Sequence, residues 1–220
     1  MLQVTTIRFL KDLKKNNNKP WFEKNKPAYL AAKEDIENFV GQTIEGLGAK
    51  DPDIAPLEIK DCVFRIYRDV RFSKNKVPYK TNMGAYFNKG GKKATTAGYY
   101  FHCEPGQNMV GGGLWMPMAP ELSKVRQEID YNFGEWKKII NHRSFKKLFP
   151  DGLQGGEPLS RPPKGYDADN PAIEFLKMKS FVVTRTLTDA ELQSKSLLKE
   201  TLKTFEAMKD FIYFLNRSME

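Results

Sequence analysis

Cysteine and histidine are scarce, two of each in 220 residues, and that scarcity excludes several chemistries. Cys62 and Cys103 give neither a disulfide framework nor a metal-ligand spacing, and His102 and His142 form no H-x-x-x-H pair. No metal and no cofactor are therefore expected. Both cysteines fall in expected strands, where a buried thiol acts as a small hydrophobe. The chain also lacks G-x-x-x-x-G-K-[ST], G-x-G-x-x-G and G-x-S-x-G, so neither a nucleotide fingerprint nor a hydrolase elbow is present. No stretch approaches the roughly 20 apolar residues that cross a bilayer, and MLQVTTIRFLKDLKKNNN meets charge too early for a signal peptide. A cytoplasmic protein with no membrane partner is expected.

Acidic residues are missing from one place in particular. Nine basic residues (Arg65, Arg68, Arg71, Lys74, Lys76, Lys80, Lys89, Lys92, Lys93) meet only Asp69 between positions 65 and 93. Eight of the nine net positive charges of the chain thus reside there. Charge this concentrated sets up a local positive potential.

What is present describes a folding chain. Hydrophobic content of 40% with 12% aromatics exceeds what a disordered chain carries, and the length suits one domain over 1–220. Val4, Ile7, Leu10 and Leu13 recur at helical spacing before three asparagines. Pro20 and Pro27 suit first helical positions, and Tyr29, Ala32, Ile36, Phe39, Val40 and Ile44 make a long apolar stripe. From Leu57 the period changes to two, and CVFRIYRDVRF reads as a strand or bent strand pair. NMGAYF, AGYYFHCE and NMVGGGLW continue it as strands, with turns at NKGGKK and PGQ.

Helices are expected from Pro120 to about Tyr131, in FGEWKKII and in SFKKLF, with a further short one capped by Asn170 and begun by Pro171. FVVTRTL is a last strand, Thr188 and Glu191 form a capping box, and Leu198 to Leu215 carry a final helical stripe. Helices, strands, then helices predict an α+β fold: an antiparallel meander of about five or six strands flanked by N-terminal and C-terminal helices.

Strand alternation sorts CVFRIYRDVRF into two faces. Cys62, Phe64 and Ile66 share a core face; Val63, Arg65, Tyr67, Asp69 and Arg71 share the other. Guanidinium forks match phosphate or carboxylate, so Arg65, Tyr67, Arg68, Asp69, Arg71, Lys74, Tyr79 and Lys80 are the candidate ligand-binding residues. Structural salt bridging is the competing account of the same side chains. His102 alternates onto the face of Tyr100 and Glu104, which makes His102 and Glu104 the candidate acid-base pair. The glycines at 111–113 suit a bulge or a tight bend under Trp115.

FLKDLKKNNNKPWFEKNKPAYLAAKE, FRIYRDVRFSKNKVPYKTNMGAYF, GGGLWMP and RPPKGYDADNPAIEFLKMKSF together resemble an uncharacterised conserved bacterial family with fungal relatives, a domain of unknown function. The resemblance runs over nearly the full length and implies a bacterial, cytoplasmic, single-domain protein with the basic motif as its hallmark. At Asn75 that family more often shows Asp, so this loop is the more basic. Three functions follow from the residues: a module or enzyme for a small phosphorylated or carboxylated ligand; nucleic-acid binding through the basic 65–93 segment, with Phe72, Tyr79 and Tyr86 as stacking surfaces; and a structural or interaction protein meeting an acidic partner.

Overall fold

The computed structural model describes residues 1–219, and among them eleven helices accompany a four-stranded antiparallel sheet. Glu220, the last residue of the expected single domain, lies outside the described residues. The strands are β1 (Met83–Asn88), β2 (Gly98–Cys103), β3 (Asn108–Leu114) and β4 (Phe181–Leu187), hydrogen-bonded in chain order. The mixed class and the meander are as expected, but four strands stand where five or six were expected.

The difference lies between Leu57 and Phe72. The Asp61 carboxylate accepts the Glu58 backbone N–H at 3.1 Å and helps close a turn, so that Ile59–Cys62 is a short helix. Cys62 therefore ends a helix rather than lying in a strand. Beyond it, pairing is reduced to the isolated bridges Val63 to Ala85 and Tyr67 to Tyr79.

The chain divides into two compact units. The first comprises Met1–Lys93, Tyr100–Val110 and Thr186–Lys203. It contains α1 (Val4–Lys15), α2 (Lys19–Lys24), α3 (Lys26–Gly48), α4 (Ile59–Cys62) and β1. Ile7, Leu10 and Leu13 of α1 and Ile36, Phe39 and Val40 of α3 are buried, as their spacing predicts, although Val4 is exposed. Phe39 packs on Phe101 of β2 at 4.6 Å between ring centroids.

The three asparagines after α1 do three jobs. Asn16 donates to the Asp12 carbonyl at 3.0 Å and closes α1. Asn18 caps α2 by accepting the Trp21 N–H at 3.0 Å. Asn17 reaches the basic segment, as described below.

The second unit comprises Ala94–Tyr99, Gly111–Arg185 and the described residues from Thr204 onward. It contains α5 (Ala119–Tyr131), α6 (Phe133–Ile140), α7 (Arg143–Leu148) and α8 (Ile173–Leu176). Helix α8 begins two residues later than Asn170 and Pro171 suggest, because the Asn170 side chain accepts the Ala172 N–H at 2.8 Å and holds a turn first. After β4, the capping box of Thr188 and Glu191 starts α9 (Asp189–Leu192) in the first unit. The last stripe is split at Met208 into α10 (Leu197–Ala207) and α11 (Lys209–Arg217). Trp136 is fully buried among Phe175, Phe181, Phe211 and Phe214.

Glycine at 113 is required by its φ of +127° and by the backbone of β4: a Cβ there would lie 2.0 Å from the Phe181 carbonyl oxygen. No described helix is long and apolar enough to cross a membrane.

Candidate functional site

The basic segment forms an irregular antiparallel hairpin against the chain that leads into β1. Arg68 N–H donates to the Pro78 carbonyl at 2.9 Å, Lys80 N–H to Ile66 at 2.7 Å and Phe64 N–H to Gly84 at 3.0 Å. Between the two bridges, the step of four residues from Val63 to Tyr67 faces a step of six from Tyr79 to Ala85. The excess bulges the returning strand and breaks the ladder. Alternation nevertheless sorts the side chains: Cys62 and Ile66 are buried and Phe64 half-buried, while Arg65, Tyr67, Asp69 and Arg71 are exposed. The Asn17 amide clamps the base of the hairpin, donating to the Tyr79 carbonyl at 2.9 Å and accepting the Tyr79 N–H at 3.1 Å.

The cations of this hairpin fall into three groups. Arg68 and Lys76 hold the loop itself: Arg68 Nη1 donates to the Val77 carbonyl at 3.0 Å, and Lys76 Nζ to the Val70 carbonyl at 2.9 Å. Arg71 is held by Asp69, with Nη2 to Oδ2 at 2.7 Å and Nε to Oδ1 at 3.0 Å. That guanidinium, through its hydrogen bonds, keeps the Asp69 carboxyl below its ordinary range. Arg65, Lys74 and Lys80 form no salt bridge with any described residue.

Lys80 differs from the other two in being half-buried. Its ammonium lies 5.3 Å from the centroid of the Phe64 ring. Burial, then the nearby Arg65 charge, pushes its pKa down, because both disfavour a second positive charge in that place. Two neighbouring cations, neither in a salt bridge with a described residue, make an arrangement that an anion would stabilise.

The Phe64 ring also meets Tyr100 of β2 edge-on, at 6.4 Å between centroids. Tyr100 begins a polar chain: its hydroxyl lies 2.8 Å from His102 Nδ1, and His102 Nε2 lies 3.3 Å from Glu104 Oε2. Thr81 Oγ1 donates to the other Glu104 oxygen at 2.8 Å, and Lys14 Nζ approaches it at 3.4 Å. A carboxylate only accepts, so a neutral His102 carries its proton on Nε2 and leaves Nδ1 to accept from Tyr100.

Burial pushes the His102 pKa down, against the raising effect of Glu104. Glu104 is pushed up by burial but more than compensated by hydrogen bonds from Thr81, His102 and Lys14, so its carboxyl sits below the ordinary value. Tyr100 is pushed up to about 12 by burial and then by the Glu104 charge. With the phenol pushed up and the imidazole pushed down, the proton between them rests on Tyr100, and carboxylate, imidazole and phenol form one hydrogen-bonded chain. Gly84 makes room for it, since a Cβ there would stand 3.0 Å from the Tyr100 hydroxyl.

Phe64 thus adjoins both Lys80 and Tyr100, and the arginines do not all join them: Arg68 and Arg71 serve the loop. Tyr79 is buried, stacked on Phe22 at 3.9 Å, whereas Tyr67 is 45% exposed. Sequence spacing pointed to His102 and Glu104 but not to Thr81 or Lys14, which reach Glu104 from 23 and 90 residues away. Nor did it single out Asn17, whose run of three asparagines reads as a helix stop.

A family model described as a conserved hypothetical protein, DUF2461, matches residues 5–214, and the chain belongs to that family. No curated protein and no solved structure matches the chain.

Proposed function

We propose that this member of the family binds a small phosphorylated or carboxylated anion at Lys80 and Arg65. The observation that carries this reading is the half-buried Lys80 ammonium, which has no carboxylate partner and stands beside a second cation. A bound anion would neutralise the pair, while Arg65 supplies the forked donors that recognise phosphate or carboxylate. The Tyr100, His102, Glu104 chain adjoins the same Phe64 ring, with its hydroxyl and imidazole bonded to one another.

Thermal unfolding with added phosphate, sulfate, citrate and nucleotides tests the reading. At about a hundredfold excess over Kd, a ligand of the folded state raises Tm by about 5–10 °C in a chain of this size. The Lys80→Met, Arg65→Met double variant should lose that rise. A rise that persists in the double variant, or no rise with any of these anions, sinks the proposal.

A further inference from the structure

Phe72 is 97% exposed, yet the loop that carries it is tightly held. Lys76 Nζ donates to the carbonyls of Val70 and Arg71, the residues just before Phe72. Ser73 N–H returns to the Val70 carbonyl at 3.3 Å, and the Asn75 side chain accepts the Val77 N–H at 3.0 Å. Asp69 accepts the Arg71 backbone N–H at 3.2 Å as well as its guanidinium. These bonds fix the chain on both sides of an aromatic ring that is itself left in water. A single exposed apolar residue is unremarkable on a mobile loop; here hydrogen bonds on either side hold it out among Arg71, Lys74 and Lys76.

We propose that this hairpin tip docks single-stranded nucleic acid, with the Phe72 ring stacking on a base and Lys74 facing the adjoining phosphate. Three features favour that partner. Stacking needs one open π-face per base, which Phe72 presents, and Tyr67, 45% exposed, is a second aromatic on the same hairpin. The Arg71 guanidinium, fixed by Asp69, lies 5.9 Å from the Phe72 centroid and helps set the ring's position. The hairpin also lies in the stretch that holds eight of the nine net charges, and polyanion binding is driven by such density.

An anionic membrane would be served less well. The residues after Phe72 are Ser73, Lys74, Asn75 and Lys76, so the tip itself offers one ring to the acyl region, and stable anchoring asks for more apolar area than that.

Fluorescence anisotropy of a labelled mixed-sequence 12-mer, single-stranded and duplex, on the full chain at 50 and 200 mM salt, tests the proposal. Single strands should bind more tightly than duplex, and the affinity should fall as salt rises. Phe72→Ala should weaken single-strand binding by about fivefold to a hundredfold, the effect of losing one base stack, with a nearly unchanged melting curve because the ring is 97% exposed and meets, among the described residues, only the Arg71 guanidinium. Lys74→Ala should reduce the log–log salt slope by about one. Phe72→Trp should restore binding, with indole fluorescence quenched by the oligonucleotide.

Any of three results overturns it: no binding at 50 mM salt, equal binding by the wild type and Phe72→Ala, or binding to phosphatidylserine vesicles that depends on Phe72 in a chain indifferent to oligonucleotides. Neither Phe72 nor Lys74 belongs to the Lys80 and Arg65 pair, so this proposal and the small-anion site can fail separately.

Discussion

Glu104→Gln isolates the charge at the centre of the polar chain while keeping the size of the side chain. The carboxylate accepts from Thr81 at 2.8 Å, His102 at 3.3 Å and Lys14 at 3.4 Å, and its side chain is only 13% exposed. Hydrogen bonds to a charged group contribute about 1.5–3 kcal/mol and neutral ones about 0.5–1.5 kcal/mol. Replacing charge by amide should therefore cost about 1–2 kcal/mol, a fall in Tm of about 2–8 °C for a chain of this length.

The second readout is the imidazole itself. Burial holds His102 below its ordinary value and the Glu104 hydrogen bond and charge pull it back up, so the amide should lower the His102 pKa further. With only two histidines, proton-carbon NMR titration of the wild type, the variant and a His142→Asn control assigns the shift without ambiguity.

The sign of the pH dependence follows. Near pH 6.5 the unfolded chain takes up a proton that the folded chain refuses, so stability is full above that pH, declines as pH falls through it, and levels off below the folded pKa. In the variant, whose folded pKa is lower still, the decline should run further before levelling. A His102 pKa that rises or stays fixed in Glu104→Gln would refute the electrostatic coupling, whatever the stability change.

Two further outcomes rest on single atoms. Gly113→Ala meets both a φ of +127° and the Phe181 carbonyl at 2.0 Å, whereas Gly106→Ala meets a φ of +83° and no atom within 4 Å; denaturant unfolding should show the first costing more than about 3 kcal/mol and the second about 1 kcal/mol, and equal costs would contradict the close approach of β3 to β4. Cys62 and Cys103 are both buried, and burial pushes both thiols up to about 12; an aromatic disulfide reagent at pH 8 should label neither in the folded chain and both in guanidinium, and rapid labelling of one thiol in the native state would show that its burial is wrong.

Elements with a strong local signal were legible from the residues. The stripe from Ile7 to Leu13, the Thr188 and Glu191 box and strands within NMGAYF, AGYYFHCE and FVVTRTL all occur where their period and caps put them. The miss at CVFRIYRDVRF has a physical cause. Period-two alternation reports which side chains face the core, and it reported that correctly for Ile66 and Arg65, whereas Cys62 is buried at the end of a helix. It does not report whether a partner strand keeps register, and here the partner carries two extra residues. The polar chain was half legible for the same reason: Tyr100, His102 and Glu104 are neighbours by alternation along one strand direction, but Lys14 and Thr81 arrive through tertiary packing that no local period encodes.

The shortage of acids around Arg65 also has a structural meaning that charge counting alone misses. Asp69 can serve one guanidinium and serves Arg71; Arg68 and Lys76 turn to backbone carbonyls, as does Lys92, which donates to the Lys60 carbonyl. A carbonyl accepts a hydrogen bond without neutralising the donor. A lysine held by carbonyls therefore orders a loop and still contributes its full charge to the surrounding potential, where a lysine held by a carboxylate would not. Structural use and anion attraction are thus compatible in the same side chains. Withholding acids from this stretch allows a hydrogen-bonded hairpin to keep its positive charge, with Arg65, Lys74 and Lys80 in no salt bridge with a described residue.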